Sequence, residues 1–190
     1  MKFIRTAIPD VVLIEPEVFG DQRGYFVETF RQDKLHAFLG FSIHFVQDNE
    51  SKSSYGVLRG LHYQLAPAAQ TKLVRVIKGK VLDVAVDIRA GSPTFGQHVS
   101  VELSELNKRQ LLVPRGFAHG FVVLEDDTVF AYKVDNYYSP ENDRGIAFDD
   151  PALGINWLVD KARLKLSVKD TTQMLLDKAE VFTIKQDYYA

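Results

Sequence analysis

The stretch Val81-Leu-Asp-Val-Ala-Val-Asp-Ile88 decides the fold class. Leu82, Val84, Val86 and Ile88 fall on one face of an extended chain, and Val81, Asp83, Ala85 and Asp87 on the other. That period of two marks a strand. Working outward, Leu73-Val-Arg-Val-Ile77 reads as a second strand, with Lys78-Gly79-Lys80 as a hairpin turn between the two. Residues 98–103, 121–124 and 128–135 read the same way. Gly91-Ser92-Pro93, Glu125-Asp126-Asp127 and Ser139-Pro140-Glu141-Asn142 supply turn chemistry between strands. Strands this close together, with no long helices between them, predict an all-β antiparallel barrel or jelly roll. Helix is expected only at the periphery: an amphipathic stretch at 32–39 and short pieces at 161–166 and 171–177.

The chain has 190 residues, enough to bury a core, and no repeat or Pro/Ser-rich linker divides it, so one domain spanning 1–190 is expected. A net charge of -2 leaves no basic field to hold a nucleic-acid backbone. With no cysteine, disulfides, a thiolate nucleophile and Cys-ligated metals are excluded. The opening MKFIRTAIPDVV lacks the apolar core of a signal peptide, and no apolar run approaches the ~18–20 residues that cross a bilayer. A soluble cytoplasmic protein with no membrane partner is the expectation.

Among the histidines, His62 and His119 stand out. His62 lies in Gly56-Val-Leu-Arg-Gly-Leu-His-Tyr-Gln64, a strand interrupted by Gly60, and His119 in Pro114-Arg-Gly-Phe-Ala-His-Gly120. The second stretch resembles the second motif of the cupin superfamily. Metal-binding cupins carry His-x-His and a carboxylate in the first motif. Here His62-Tyr63-Gln64 and then Lys72 stand in its place, and an ammonium has no lone pair for a metal. No metal is therefore expected, and with no Gly-rich dinucleotide fingerprint after a strand no redox cofactor is expected either. His62, Lys72, Arg59, His119 and Tyr132 together offer a base, cations and a phenol, a set suited to taking a proton α to a carbonyl. Imidazole has a reference pKa of ~6.5, near operating pH, and an ammonium can stabilise an enolate oxygen. On residue type alone, Lys72 as a solvated strand-end charge and Tyr132 as a barrel-wall aromatic stay open. Strict alternation also puts Arg59 and His62 on opposite faces. Both reach one pocket only if the strand is bulged, and Gly60 is the place for that.

Longer motifs carry a more specific resemblance: Phe19-Gly-Asp-Gln-Arg-Gly24, Phe45-Val-Gln-Asp-Asn49, Val57-Leu-Arg-Gly-Leu-His-Tyr-Gln64, Lys72-Leu-Val-Arg75, Pro114-Arg-Gly-Phe-Ala-His-Gly-Phe121 and Tyr132-Lys-Val-Asp-Asn-Tyr-Tyr138. The chain resembles the dTDP-4-dehydrorhamnose 3,5-epimerases, metal-independent enzymes on a cupin-like jelly roll. The resemblance implies a dTDP-sugar substrate, with His62 as proton acceptor, Asp170 as the carboxylate orienting it, Lys72 beside the C4 oxygen and Tyr132 as proton donor. It implies sugar or diphosphate contacts for Arg59 and His119, and nucleotide or diphosphate contacts for Arg23, Glu28, Gln47, Asp48, Asn49 and Lys169. Tyr138 and Asp143 also fall among its substrate-binding positions, Asp143 standing where close relatives are expected to carry glutamate. A homodimer is implied, with an N-terminal β arm (1–30) at the interface, and 139–190 forms a C-terminal extension. Three rival functions remain: a mono-epimerase inverting C3 or C5 alone, a non-catalytic sugar-nucleotide-binding barrel, and a metal-dependent cupin oxygenase.

Overall fold

The computed structural model describes residues 1–185, 188 and 189. In chain order the elements begin with β1 (Lys2–Arg5), β2 (Val12–Glu15), β3 (Val18–Asp21), β4 (Gly24–Val27), α1 (Gln32–Leu39), β5 (Gln47–Ser53), β6 (Leu58–Gln64) and β7 (Lys72–Lys78). They continue with β8 (Lys80–Asp87), β9 (Arg89–Ala90), β10 (His98–Ser104), β11 (Gln110–Val113), β12 (Phe117–Val123), β13 (Thr128–Val134), β14 (Asp143–Gly145) and β15 (Phe182–Thr183). One sheet runs β1-β2-β11-β7-β13-β5 and the other β10-β8-β12-β6-β14, with antiparallel pairing throughout both. The all-β architecture expected from alternation is present, in the cupin-like form that the resemblance implied.

The connections differ from the expectation. Lys78-Gly79-Lys80 does not close a hairpin, because β7 pairs with β11 and β13 whereas β8 pairs with β10 and β12. The chain crosses there from one sheet to the other, as it does at nearly every step between β5 and β14. Alternation reports that a segment is extended, not which strand it pairs with. Gly79 turns this corner at φ +80, where a Cβ would stand 2.3 Å from Thr128 Oγ1. The C-terminal helices are also shorter than expected. Single 3₁₀ turns occupy Lys161–Arg163, Lys169–Thr171 and Leu176–Lys178, leaving 172–175 non-helical.

Both faces of β8 are buried. Leu82, Val84, Val86 and Ile88 pack outward under the C-terminal extension, against Phe148, Trp157, Leu176 and Phe182. Val81 and Ala85 point between the sheets, against Val74, Leu111, Phe121 and Phe130. Such burial contributes about 25 cal/mol per Å² of apolar surface, so the extension stabilises the sheet whose outer face it covers. On the far side α1 lays Leu35 over Val12, Ile14, Leu73 and Leu112, and Gly40 ends it in the left-handed region at φ 81.

The N-terminal segment divides in two. β1 and β2 pair within the chain's own six-stranded sheet, so the expected arm narrows to the β3–β4 hairpin, which forms a two-stranded sheet of its own.

Candidate active site

A cavity of about 540 Å³ opens between the two sheets, lined by Arg59, His62, Lys72, His119, Tyr132 and Asp170 among others. Its walls follow from topology. β6 and β12, in the five-stranded sheet, supply Arg59, His62 and His119, and β7 and β13, in the six-stranded sheet, supply Lys72 and Tyr132. The histidine and the phenol therefore stand on opposite walls.

Arg59 and His62 share the cavity because β6 is irregular where expected. Its register with β12 runs His119↔His62 and then Phe121↔Arg59, one residue more on β6 than on β12. The extra residue is absorbed at Gly60, whose φ is +136 and whose Cβ would lie 2.5 Å from the Gly120 Cα, so no larger residue fits. Leu58, Leu61 and Tyr63 keep the outward face and anchor the strand in the core.

His62 Nε2 donates to Asp170 Oδ1 at 2.5 Å, and Asp170 Oδ2 accepts from Ser167 Oγ at 2.7 Å. Asp170 comes from the extension, which is pinned beside β6 by the Leu58 N–H bonded to the Lys165 carbonyl and the Lys165 N–H bonded to the Gly56 carbonyl. Burial pushes the Asp170 carboxyl up, but hydrogen bonds from His62, Ser167 and the Gly60 backbone outweigh it and hold the group below the ordinary carboxylate range. With Nε2–H bound to a carboxylate, the lone pair of a neutral His62 lies on Nδ1.

Lys72 feels burial most, and its ammonium is pushed down to about 8 against the pull of the Asp143 and Asp83 carboxylates. A weaker hold on its proton makes it a stronger donor to a developing oxyanion. Burial raises the Tyr132 phenol above its usual value, so the hydroxyl stays protonated. His119 Nε2 lies 3.0 Å from both oxygens of Asp83, a fully buried carboxylate on β8. Arg59 Nη2 donates to Ser53 Oγ at 3.2 Å.

The remaining expected residues scatter. Asn49 lines the cavity and accepts from Gln47 Nε2 at 2.7 Å. Asp48 points to the other side of β5, where it pairs with Lys133 at 2.9 Å in a separate depression. Asp143 accepts from Tyr138 at 3.1 Å and pairs with Lys169 beside the cavity. Arg23 and Glu28 lie away from this cavity: Arg23 pairs with Asp21, and Glu28 with Lys34 and Arg31. Sequence reasoning missed Asp83, Ser53 and Ser167, which support His119, Arg59 and Asp170 from behind. Asp83 had a signal, a carboxylate alternating with Val81 and Ala85. Ser167 also had one, a hydroxyl three residues before Asp170. Among the described residues, no group of three His, Cys, Asp or Glu side chains converges to hold a metal ion.

A model of the dTDP-4-dehydrorhamnose 3,5-epimerase family matches residues 5–178. The dTDP-4-dehydrorhamnose 3,5-epimerase of Shigella flexneri is 53% identical over 182 residues, 96% of this chain and 99% of that protein. The crystal structure of an epimerase from Legionella pneumophila in complex with dTDP-4-keto-L-rhamnose superposes with a TM-score of 0.93 at 47% identity, covering 97% of this chain and 99% of that one. A 3'-monoepimerase from Streptomyces bikiniensis, in complex with dTDP-quinovose, shares the fold at a TM-score of 0.86 and 32% identity, over 90% of this chain and 86% of its own. With the family model spanning 5–178 and identity near one half along almost the full length of the Shigella flexneri protein, the chain belongs to the dTDP-4-dehydrorhamnose 3,5-epimerase family.

Proposed function

We propose that the protein inverts C3 and C5 of dTDP-4-dehydro-6-deoxy-D-glucose to give dTDP-4-dehydro-L-rhamnose, using side chains alone. The observation that carries this is the His62–Asp170 pair facing Lys72 and Tyr132 across one cavity. Both C3 and C5 protons are α to the C4 ketone, so each abstraction places charge on the same oxygen. His62 Nδ1 takes the proton, Asp170 stabilises the imidazolium, the Lys72 ammonium stabilises the enolate oxygen, and Tyr132 returns a proton from the opposite wall. Arg59 and His119 contact the sugar or diphosphate, and a guanidinium suits a diphosphate because it donates in bidentate fashion. Asn49, Gln47, Tyr138, Asp143 and Lys169 serve the nucleotide end of the same cleft, and the role expected for Asp48 requires its side chain to leave Lys133.

Relatives at about half identity bear the 3,5-epimerase name, and the mono-epimerase stands lower, at 32%. This supports double over single inversion. Turnover in deuterium oxide tests it: label at both C3 and C5 is expected, and label at one carbon alone would assign a mono-epimerase.

Our reading includes a homodimer and a cytoplasmic setting. Supporting the dimer, the β3–β4 hairpin carries Val18, Phe19, Tyr25 and Phe26 largely exposed, and the hairpin's Arg23, with Glu28 just beyond it, lies outside its own chain's cavity. An exposed apolar hairpin of this kind is suited to pairing with a second copy. Sedimentation is expected to show a dimer, and a fully active monomer would contradict the arrangement.

A further inference from the structure

Ser167 lines the cavity yet has no place in the chemistry above. Its hydroxyl is doubly engaged. Oγ donates to Asp170 Oδ2 at 2.7 Å and accepts from the Asp170 backbone N–H at 3.2 Å. The Ser167 carbonyl also accepts from that N–H, at 3.1 Å, tying the start of the Lys169–Thr171 turn to the residue it presents. A carboxylate oxygen only accepts, so at 2.7 Å the hydroxyl proton is directed at Asp170 Oδ2.

This contact matters because of the geometry of the pair. Asp170 stands on a single 3₁₀ turn of the extension rather than on a barrel strand, so its orientation depends on the hydrogen bonds its carboxylate accepts. Its side chain is only 3% exposed, whereas that of His62 is 30% exposed. Water therefore does little to hold the carboxylate in its charged form, and neighbouring donors must do so. Three groups supply them: His62, Ser167 and the backbone of Gly60. When His62 takes a substrate proton at Nδ1, the carboxylate has to stay anionic beside the imidazolium, and the Ser167 hydrogen bond opposes passage of the Nε2 proton onto Asp170.

We infer that Ser167 is a positioning residue for this reaction, holding Asp170 in the orientation and charge that let His62 act as a base at Nδ1. The inference rests on the proposed role of His62, and the test keeps the two separable. Ser167→Ala, Ser167→Thr and His62→Ala are assayed on the dTDP-4-keto sugar across a pH series. Loss of a hydrogen bond to a charged group predicts a fall in kcat of about tenfold for Ser167→Ala, with KM within about twofold. The sign of the pH effect follows from the chemistry. Without the hydroxyl, Asp170 accepts a proton more readily and binds the imidazolium more tightly, and either change removes the neutral base at higher pH. The acid limb of the rate profile therefore moves upward, and Ser167→Thr, which keeps the hydroxyl, restores both rate and limb. A Ser167→Ala enzyme with wild-type kcat and an unmoved acid limb overturns the inference, as does a threonine variant no better than alanine. If His62→Ala is itself as fast as wild type, the base assignment fails first. If His62→Ala is inactive while Ser167→Ala is unimpaired, only the role of Ser167 falls.

Discussion

Arg59 and Arg23 are both proposed to meet the substrate's diphosphate or nucleotide, yet the chain treats them differently. Arg59 lies along the cavity wall with its guanidinium on the buried Ser53 hydroxyl, on a strand locked by Leu58 and Leu61 in the core. Arg23 sits at the tip of the β3–β4 hairpin, its side chain 85% exposed and its partner the nearby Asp21. Between the sheets, the proposed base and two proposed substrate contacts are preorganised: His62 on Asp170, His119 on Asp83, Arg59 on Ser53. In the hairpin, Phe19, Tyr25 and Phe26 remain 55%, 59% and 67% exposed, and Tyr25 meets Lys108 through a 2.8 Å hydrogen bond at the surface. The contrast teaches that a single chain fixes the side chains proposed to move protons and leaves the hairpin to be placed by something else, in our reading a second copy.

Substitutions in the two regions should break differently. The largest loss is expected at His62→Ala, which removes the proposed base and lowers kcat about 10²–10⁴-fold, measured by steady-state turnover of the dTDP-4-keto sugar. Lys72→Met follows, with about a 10²–10³-fold fall in kcat from loss of the oxyanion donor. Lys72 also predicts the basic limb of the wild-type profile. Its ammonium is the active form and titrates at about 8 instead of 10.5, so the rate declines as pH rises through about 8, and that limb disappears in Lys72→Met. Arg59→Ala should raise KM about tenfold or more, as expected for loss of a charge-assisted contact, with kcat less affected. Arg23→Ala should raise KM by less, since so exposed a cation is well screened. The smallest effect on the barrel is expected for Phe26→Ser. Its thermal stability should change by no more than about 0.5 kcal/mol, while sedimentation shows a weakened dimer. A Phe26→Ser protein that unfolds as readily as a core variant would erase the distinction between the two regions.

Local patterns made much of this legible in the sequence. The period of two in 81–88 identified the strand, and the clash between alternation and a shared pocket located the irregularity at Gly60. The lysine at position 72 argued for acid–base chemistry by side chains. Pairing was not legible, because β7 and β8 each look the same whether they form a hairpin or belong to opposite sheets. Supporting groups were hidden for a related reason. Asp83 joins His119 across neighbouring strands, and the spacing of Ser167 three residues before Asp170 gains meaning once Asp170 is seen to stand on a single turn beneath His62. Asp48 was grouped with Asn49 by its motif, although adjacent strand residues face opposite ways and only Asn49 reaches the cavity.

The central claim is that one base, His62, serves both carbons beside the ketone. Site-resolved NMR of deuterium incorporation at C3 and C5, comparing wild type with His62→Ala in deuterium oxide, tests it most directly. Incorporation at both positions in the wild type and at neither in the variant is the predicted result. Exchange persisting at either carbon in His62→Ala at the wild-type rate would contradict a shared base.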